Sequence, residues 1–165
     1  MKDLNKMAVE VRKAHDQWWC DIHTGQPIKR DPRELRMMII TELSEAMEGA
    51  RKNLMDDKLK HRKMEEVEMA DAMIRILDYC GGFGVQLDPT ESIFLTKTHN
   101  KASALLDICG DVYAGSMGFA SCNIVRYCKI HKLDLWGAVK EKLAFNKTRK
   151  DHKPSERRKK NGKKF

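Results

Sequence analysis

The sequence is short of the residues that break helices, with four prolines and ten glycines in 165 residues. Ala, Leu, Met, Glu and Lys are abundant, so the composition favours helix over sheet. No alternation of apolar and polar residues is long enough to make a strand. Long apolar runs are missing too: no segment approaches the ~20 apolar residues of a membrane span. The opening MKDLNKMAVEVRKAHDQWW lacks the basic-then-apolar order of a signal peptide. Five cysteines, at 20, 80, 109, 122 and 128, form no CxxC pair, and their number is odd. That argues against a zinc site and a disulfide framework, and reduced, mostly buried thiols in a cytoplasmic protein are expected. No Glu is followed by His three residues later, which excludes the ligand pattern of a di-iron bundle.

The net charge of +8 is confined to one end. Between 147 and 165 ten Lys or Arg stand against Asp151 and Glu156, giving +8, while the remaining residues carry 22 basic and 22 acidic side chains. That argues against a domain-wide basic face for nucleic acid. The length suits one domain with a genuine core, here residues 1–150, followed by a basic tail, 151–165.

Apolar residues recur at helical spacing through most of the chain. The pattern predicts helices over 3–20, 32–54, 63–80, 88–114 (with a break), 119–131 and 133–149. Asp31-Pro32 is an N-cap and first-turn pair for the second helix. Gly81-Gly82-Phe83-Gly84 is expected to stop the third, and Asp88-Pro89-Thr90 to cap the fourth.

The second helix reads RMMIITELSEAMEGARK and the third MEEVEMADAMIRILDYC. Glu42 and Glu45 are three apart and share a face, and Glu68 and Asp71 repeat the spacing. Glu48 extends the first stripe; Arg75 and Asp78 extend the second. A single ExxE is ordinarily a solvated helix face. The third helix, however, is apolar on most sides, so it should be buried with its polar stripe turned to a partner helix. Two facing stripes would crowd four carboxylates together, an arrangement that persists when protonated or neutralised by cations. Oxygen-only ligands suit a hard ion such as Mg²⁺, with Mn²⁺ as the alternative.

These residues resemble a known family. IITELSEAMEG followed by EVEMADAMIRILD is similar to the ExxE…ExxD pattern of MazG-like nucleoside triphosphate pyrophosphohydrolases, relatives of the all-α dimeric dUTPases and dCTP pyrophosphatases. The family usually shows EExxE; here Thr41 stands at the first position, while Glu42, Glu45, Glu68 and Asp71 match. LDLWGAVKEKLAFNKTR resembles the family's closing helix, whose phosphate-contacting residues would be Lys142, Asn146 and Arg149. The resemblance implies an all-α helical bundle that binds Mg²⁺ through the four carboxylates. It would cut a (d)NTP to (d)NMP and pyrophosphate, with Glu45 or Glu42 orienting the attacking water. It also implies a homodimer or tetramer. Residues 86–132 separate the two matched regions where compact members have none, and they are expected to form an extra helical insert. Within it, Lys97, Asn100 and Lys101 are a competing phosphate set.

Trp18 and Trp19 are adjacent and cannot both face the core from one helix. Each is expected to pack in the core or an interface, or to stack on the nucleobase, as the resemblance implies. His23 is a surface residue or an aid to base recognition. Cys20 and Cys80 have no basic partner at defined spacing and read as packing residues. His15-Asp16 matches the HD dipeptide of another phosphohydrolase class, but no His precedes position 15. The tail, with His152, Arg157 and Arg158, has three readings: a solvated end, a flap contacting triphosphate, or a grip for nucleic acid or a partner. The rival to an enzyme is a helical nucleic-acid-binding accessory protein whose carboxylates are structural.

Overall fold

The computed structural model describes residues 3–88 and 100–163. Among them the fold is all-α, with seven α-helices and two short 3₁₀ turns. None of these helices is long and apolar enough to cross a membrane.

Helix α1 (Leu4–Ala14) starts where the Asp3 side chain accepts from the Lys6 N–H. It stops six residues before the expected end. The His15 N–H forks to the carbonyls of Val11 and Arg12, and a 3₁₀ turn, Asp16–Trp18, follows. This tightening separates Trp18 from Trp19. Helix α2 (Pro32–Lys52) is capped by Asp31 and closed by Asn53 in the left-handed conformation.

Helix α3 (Met64–Phe83) is the centre of the molecule and packs against α1, α2 and two later helices. Met69, Met73, Ile76 and Leu77 are fully buried, each worth about 1.5–3 kcal/mol on transfer from water. The helix runs three residues past its expected end at Cys80, and Gly84, φ 68°, the last of the Gly81-Gly82-Phe83-Gly84 stop, closes it. These two glycines permit close approach. A Cβ on Gly81 would lie 2.4 Å from the Ala8 carbonyl oxygen, and one on Gly82 2.1 Å from the Trp19 ring.

Asn100 caps helix α4 (Lys101–Ala114), accepting from the Ser103 N–H at 2.8 Å; the helix start expected at Asp88-Pro89-Thr90 runs into residues 89–99, which lie outside the described residues. Helix α5 (Met117–His131) pairs with α4, and the two lean on α2 and α3. The insert is thus integral to the core, where buried Glu65 accepts from Tyr127 Oη and from Lys101 Nζ, both at 2.6 Å.

Helix α6 (Leu135–Thr148) is capped by Asp134 and lies along α3. Its register is pinned by Arg62, which donates to Glu141, and by Glu66, which accepts from the Asp134 N–H at 2.8 Å. A 3₁₀ turn, Lys150–His152, and the short α7 (Pro154–Arg157) complete the described chain. The tail does not stand off in solvent. Arg157, 2 % exposed, donates to the Gln17 carbonyl at 2.9 Å, and Arg158 donates to that of Ile22.

Candidate metal and phosphate site

A cleft of about 380 Å³ opens between α2, α3, α6, the 3₁₀ turn after α1 and the tail. Its floor is acidic. Glu42 projects from α2, and Glu68 and Asp71 from α3, each offering an oxygen within 4.8 Å of the others. Glu45 lines the same cleft outside that triad and more exposed. Of the four expected carboxylates, three converge and the fourth stands beside them. Glu48 turns outward to Arg51 and Lys52.

The charges show strain of one sign. Burial, and then the Asp71 carboxylate, push the Glu68 carboxyl up to about 9. Burial also raises Asp71, partly offset by Lys142, and raises Glu45, where Glu42 adds repulsion. Two side-chain cations answer this negative charge: Arg75 Nε donates to Glu42 Oε1 at 2.5 Å, and Lys142 Nζ lies 2.7 Å from Asp71 Oδ2. Burial pulls the Lys142 ammonium down, but Asp71 and Glu68 more than offset it, and its pKa ends raised. An all-oxygen, under-neutralised triad fits a hard divalent cation.

The opposite wall is basic. Lys142 and Asn146 from α6 and Arg149, the extended residue just past its end, all line the cleft, joined by Lys58 and by Lys163 from the tail. Arg149 is ion-paired with Asp151 at 2.6 Å. Burial and the neighbouring Arg149 lower the Lys163 ammonium, and burial, Arg149 and Lys163 lower His152 to about 4. Two polar atoms here, Asn146 Oδ1 and His152 Nε2, are buried without a hydrogen-bond partner among the described residues, which costs about 1–3 kcal/mol for each until something satisfies it.

Trp18 belongs to the cleft and Trp19 does not. The Trp18 ring meets His152 edge-on at 5.2 Å and carries the Arg157 guanidinium 3.8 Å from its centroid. Trp19 is buried against Gly82 and donates from Nε1 to Asp78 at 3.2 Å. It is a core residue rather than a base-stacking one. His23 is exposed on its loop, away from the cleft. Asp16 pairs with Arg12, and His15 instead faces Asp78 at 3.7 Å, so the HD dipeptide forms no unit. Burial lifts the Cys80 thiol to about 12, as suits a packing residue. Of the competing phosphate set, Asn100 caps α4 and Lys101 is bound to Glu65, while Lys97 lies outside the described residues.

Lys58, Lys163 and His15 line the cleft unanticipated, as does Asp78, although the last continues the α3 stripe. Comparison of the chain with family models, curated proteins and solved structures finds no match. The functional reading therefore rests on the cleft.

Proposed function

We propose that the protein is a Mg²⁺-dependent nucleoside triphosphate pyrophosphohydrolase of the MazG-like kind, Mn²⁺ being the alternative ion. One observation carries the reading: three converging carboxylates, buried or half-buried and held by two cations, face a basic wall across one cleft. A metal–triphosphate supplies the positive charge the floor lacks and the negative charge the wall lacks. Glu42, Glu68 and Asp71 would hold Mg²⁺, which when bound offsets charge that develops on the phosphate oxygens. Lys142, Arg149 and Lys163 would hold those oxygens with charge-assisted bonds. The Asn146 amide and His152 Nε2 are left to take polar groups of the nucleoside or its phosphates.

Glu45 is the candidate base. Its carboxylate is beside the triad without a short ion pair of its own among the described residues, and its raised pKa suits proton abstraction. A water oxygen would attack the α-phosphorus as its proton passes to Glu45. The bond from that phosphorus to the bridging oxygen then breaks, releasing pyrophosphate and a nucleoside monophosphate. The homodimer or tetramer belongs to the same proposal: Leu106 and Tyr113, 72 % and 79 % exposed on α4, are its candidate contact residues.

The rival nucleic-acid reading is less well supported, because two tail cations, Arg157 and Arg158, are bonded to backbone carbonyls of the chain itself. Pyrophosphate release from a panel of NTPs and dNTPs, with Mg²⁺ and with EDTA, tests the proposal. Mg²⁺-dependent release of equimolar monophosphate and pyrophosphate is expected from at least one substrate; no release from any member refutes it.

A further inference from the structure

Arg75 is an unexpected residue for the floor of this cleft. It sits on α3 one turn after Asp71, where the helix is otherwise nearly all apolar, and it reaches across to α2. One of its five N–H groups goes to Glu42 and another to the Met38 sulfur at 3.9 Å. Its side chain is 30 % exposed and lines the cleft. An arginine that served only to neutralise Glu42 would need none of its remaining donors. A guanidinium fork lining the cleft matches two oxygens of a phosphate.

Resting on the metal–triphosphate reading above, we infer that Arg75 is a stand-in for the metal at Glu42 and becomes a polyphosphate ligand when a divalent ion displaces it. Lys142 bears the same relation to Asp71. Charge counting shows why the two roles are linked. The three triad carboxylates can carry three negative charges, and Arg75 with Lys142 supplies two positive ones. A divalent ion supplies the same two charges directly at the carboxylate oxygens. With the ion bound, four positive charges face three negative ones, so the site holds one cation in excess, which is unfavourable in a confined space until an anion joins it. Polyphosphate is such an anion, and the metal it carries is the displacing ion. Metal and polyphosphate must therefore bind with positive coupling, and each raises the other's affinity by the same factor.

A purely structural ion pair and an exchangeable one respond differently when the arginine is removed. Loss of a structural pair disturbs Glu42 and leaves metal binding weaker or unchanged. Loss of an exchangeable counter-cation removes a competitor and tightens it, while polyphosphate binding weakens.

Calorimetry on the full chain can measure both, using Mn²⁺ alone and then inorganic pyrophosphate at fixed free Mg²⁺ or in EDTA. Wild type should bind pyrophosphate about tenfold or more tightly with Mg²⁺ than without. Arg75→Gln should bind Mn²⁺ roughly two- to fivefold more tightly than wild type, as removal of a partly exposed ion pair allows. The same variant should bind pyrophosphate about tenfold more weakly. Arg75→Lys keeps the charge without the fork; it should restore the competition with Mn²⁺ and recover pyrophosphate binding only in part. It also serves as the test if Arg75→Gln does not fold. In that case Mn²⁺ affinity like wild type with weakened pyrophosphate binding supports the inference, and unchanged pyrophosphate binding overturns it. Mn²⁺ binding no tighter in Arg75→Gln, or pyrophosphate binding unchanged there, overturns the role of Arg75 alone. No Mn²⁺ binding by wild type overturns the metal reading as well.

Discussion

The acidic floor and the basic wall of the cleft are built in opposite ways. The floor comes from two adjacent helices, each contributing side chains at regular spacing from a backbone fixed by core packing on α3. The wall gathers Lys58 from a connector, Lys142 and Asn146 from α6, His152 and Lys163 from the tail, and Trp18 from the turn after α1. The floor is over-supplied with one charge at fixed positions; the wall has several cations and, on α6 and in the tail, two polar atoms without a partner among the described residues. Rigid elements suit metal ligands, whose oxygens must meet one ion within a few tenths of an ångström. Looser elements suit a substrate that must arrive and leave.

The sharpest way to break this contrast is to neutralise the floor. Glu68→Gln and Asp71→Asn should lower kcat by at least as much as loss of the base in Glu45→Gln, on the order of 10²–10⁴-fold. Without metal, Glu68→Gln should also raise the Tm at pH 8, because it removes a carboxyl that burial disfavours when charged. A pyrophosphate-release assay and a thermal melt on the same preparation check both. Loss of activity with a lowered metal-free Tm would mean that Glu68 is structural.

Next in size is the pH dependence. Glu68 is held protonated to about 9 in the fold, whereas an unfolded chain ionises it near its ordinary value. Between those values the unfolded state binds fewer protons, so the metal-free protein should lose stability as pH rises from about 4.5 to 9. Mg²⁺ binds the ionised form and should restore more Tm at pH 8 than at pH 5.5. Melts with EDTA and with Mg²⁺ across this range test it, and equal Mg²⁺ stabilisation at both pH values would count against metal at the triad.

The two ends also differed in how far the sequence revealed them. Glu42, Glu68 and Asp71 were legible because helical periodicity gives each helix one acidic stripe, α3 was apolar enough to turn its stripe to a partner helix, and the resemblance paired the two. Lys142, Asn146 and Arg149 were legible through the resemblance and their helical spacing. Arg75 was visible as part of the stripe, but its pairing with Glu42 depends on how α2 crosses α3, which no local pattern encodes. The Gly81-Gly82-Phe83-Gly84 stop was legible, and Gly84 makes it, but the packing role of Gly81 and Gly82 was not, because it depends on the Ala8 carbonyl and the Trp19 ring, far away in sequence. Lys163 reaches the wall only because α7 docks on Trp18, so a charge count could locate the tail's basicity but not its destination.

Acidification should loosen the wall and leave the floor in place. His152 is neutral in the fold down to about 4, because burial, Arg149 and Lys163 oppose its charge, with Asp151 opposing them in part and His15 adding slightly. Its stabilising contribution is present above the ordinary histidine range and is lost as pH falls from about 6.5 toward 4. Trp18 touches its ring, so tryptophan emission should change as pH falls to about 4 in wild type and much less in Trp18→Phe. Equal changes in both proteins would place the transition elsewhere.

The smallest effect should come from Arg157, which touches neither the metal triad nor the α6 phosphate residues. It is fixed over Trp18, donates to the Gln17 carbonyl and reaches the Lys163 carbonyl at 3.4 Å. Arg157→Ala should therefore release the tail and carry Lys163 and His152 from the wall, while the Glu42–Glu68–Asp71 triad stays assembled. A cation–π contact and a buried hydrogen bond of this kind are each worth about 1 kcal/mol, so the melting point should fall by only a few degrees. On activity the effect should be a rise in KM for the triphosphate of roughly three- to tenfold, from lost phosphate contacts, with kcat nearly unchanged. Deletion of residues 153–165 should match that KM, because both changes remove the same wall. If the deletion leaves KM at its wild-type value, the tail's docking serves stability alone, and the basic wall reduces to α6 and Lys58. If kcat falls with KM unchanged, the tail acts on the reacting phosphate, and the division between a catalytic floor and a binding wall is wrong.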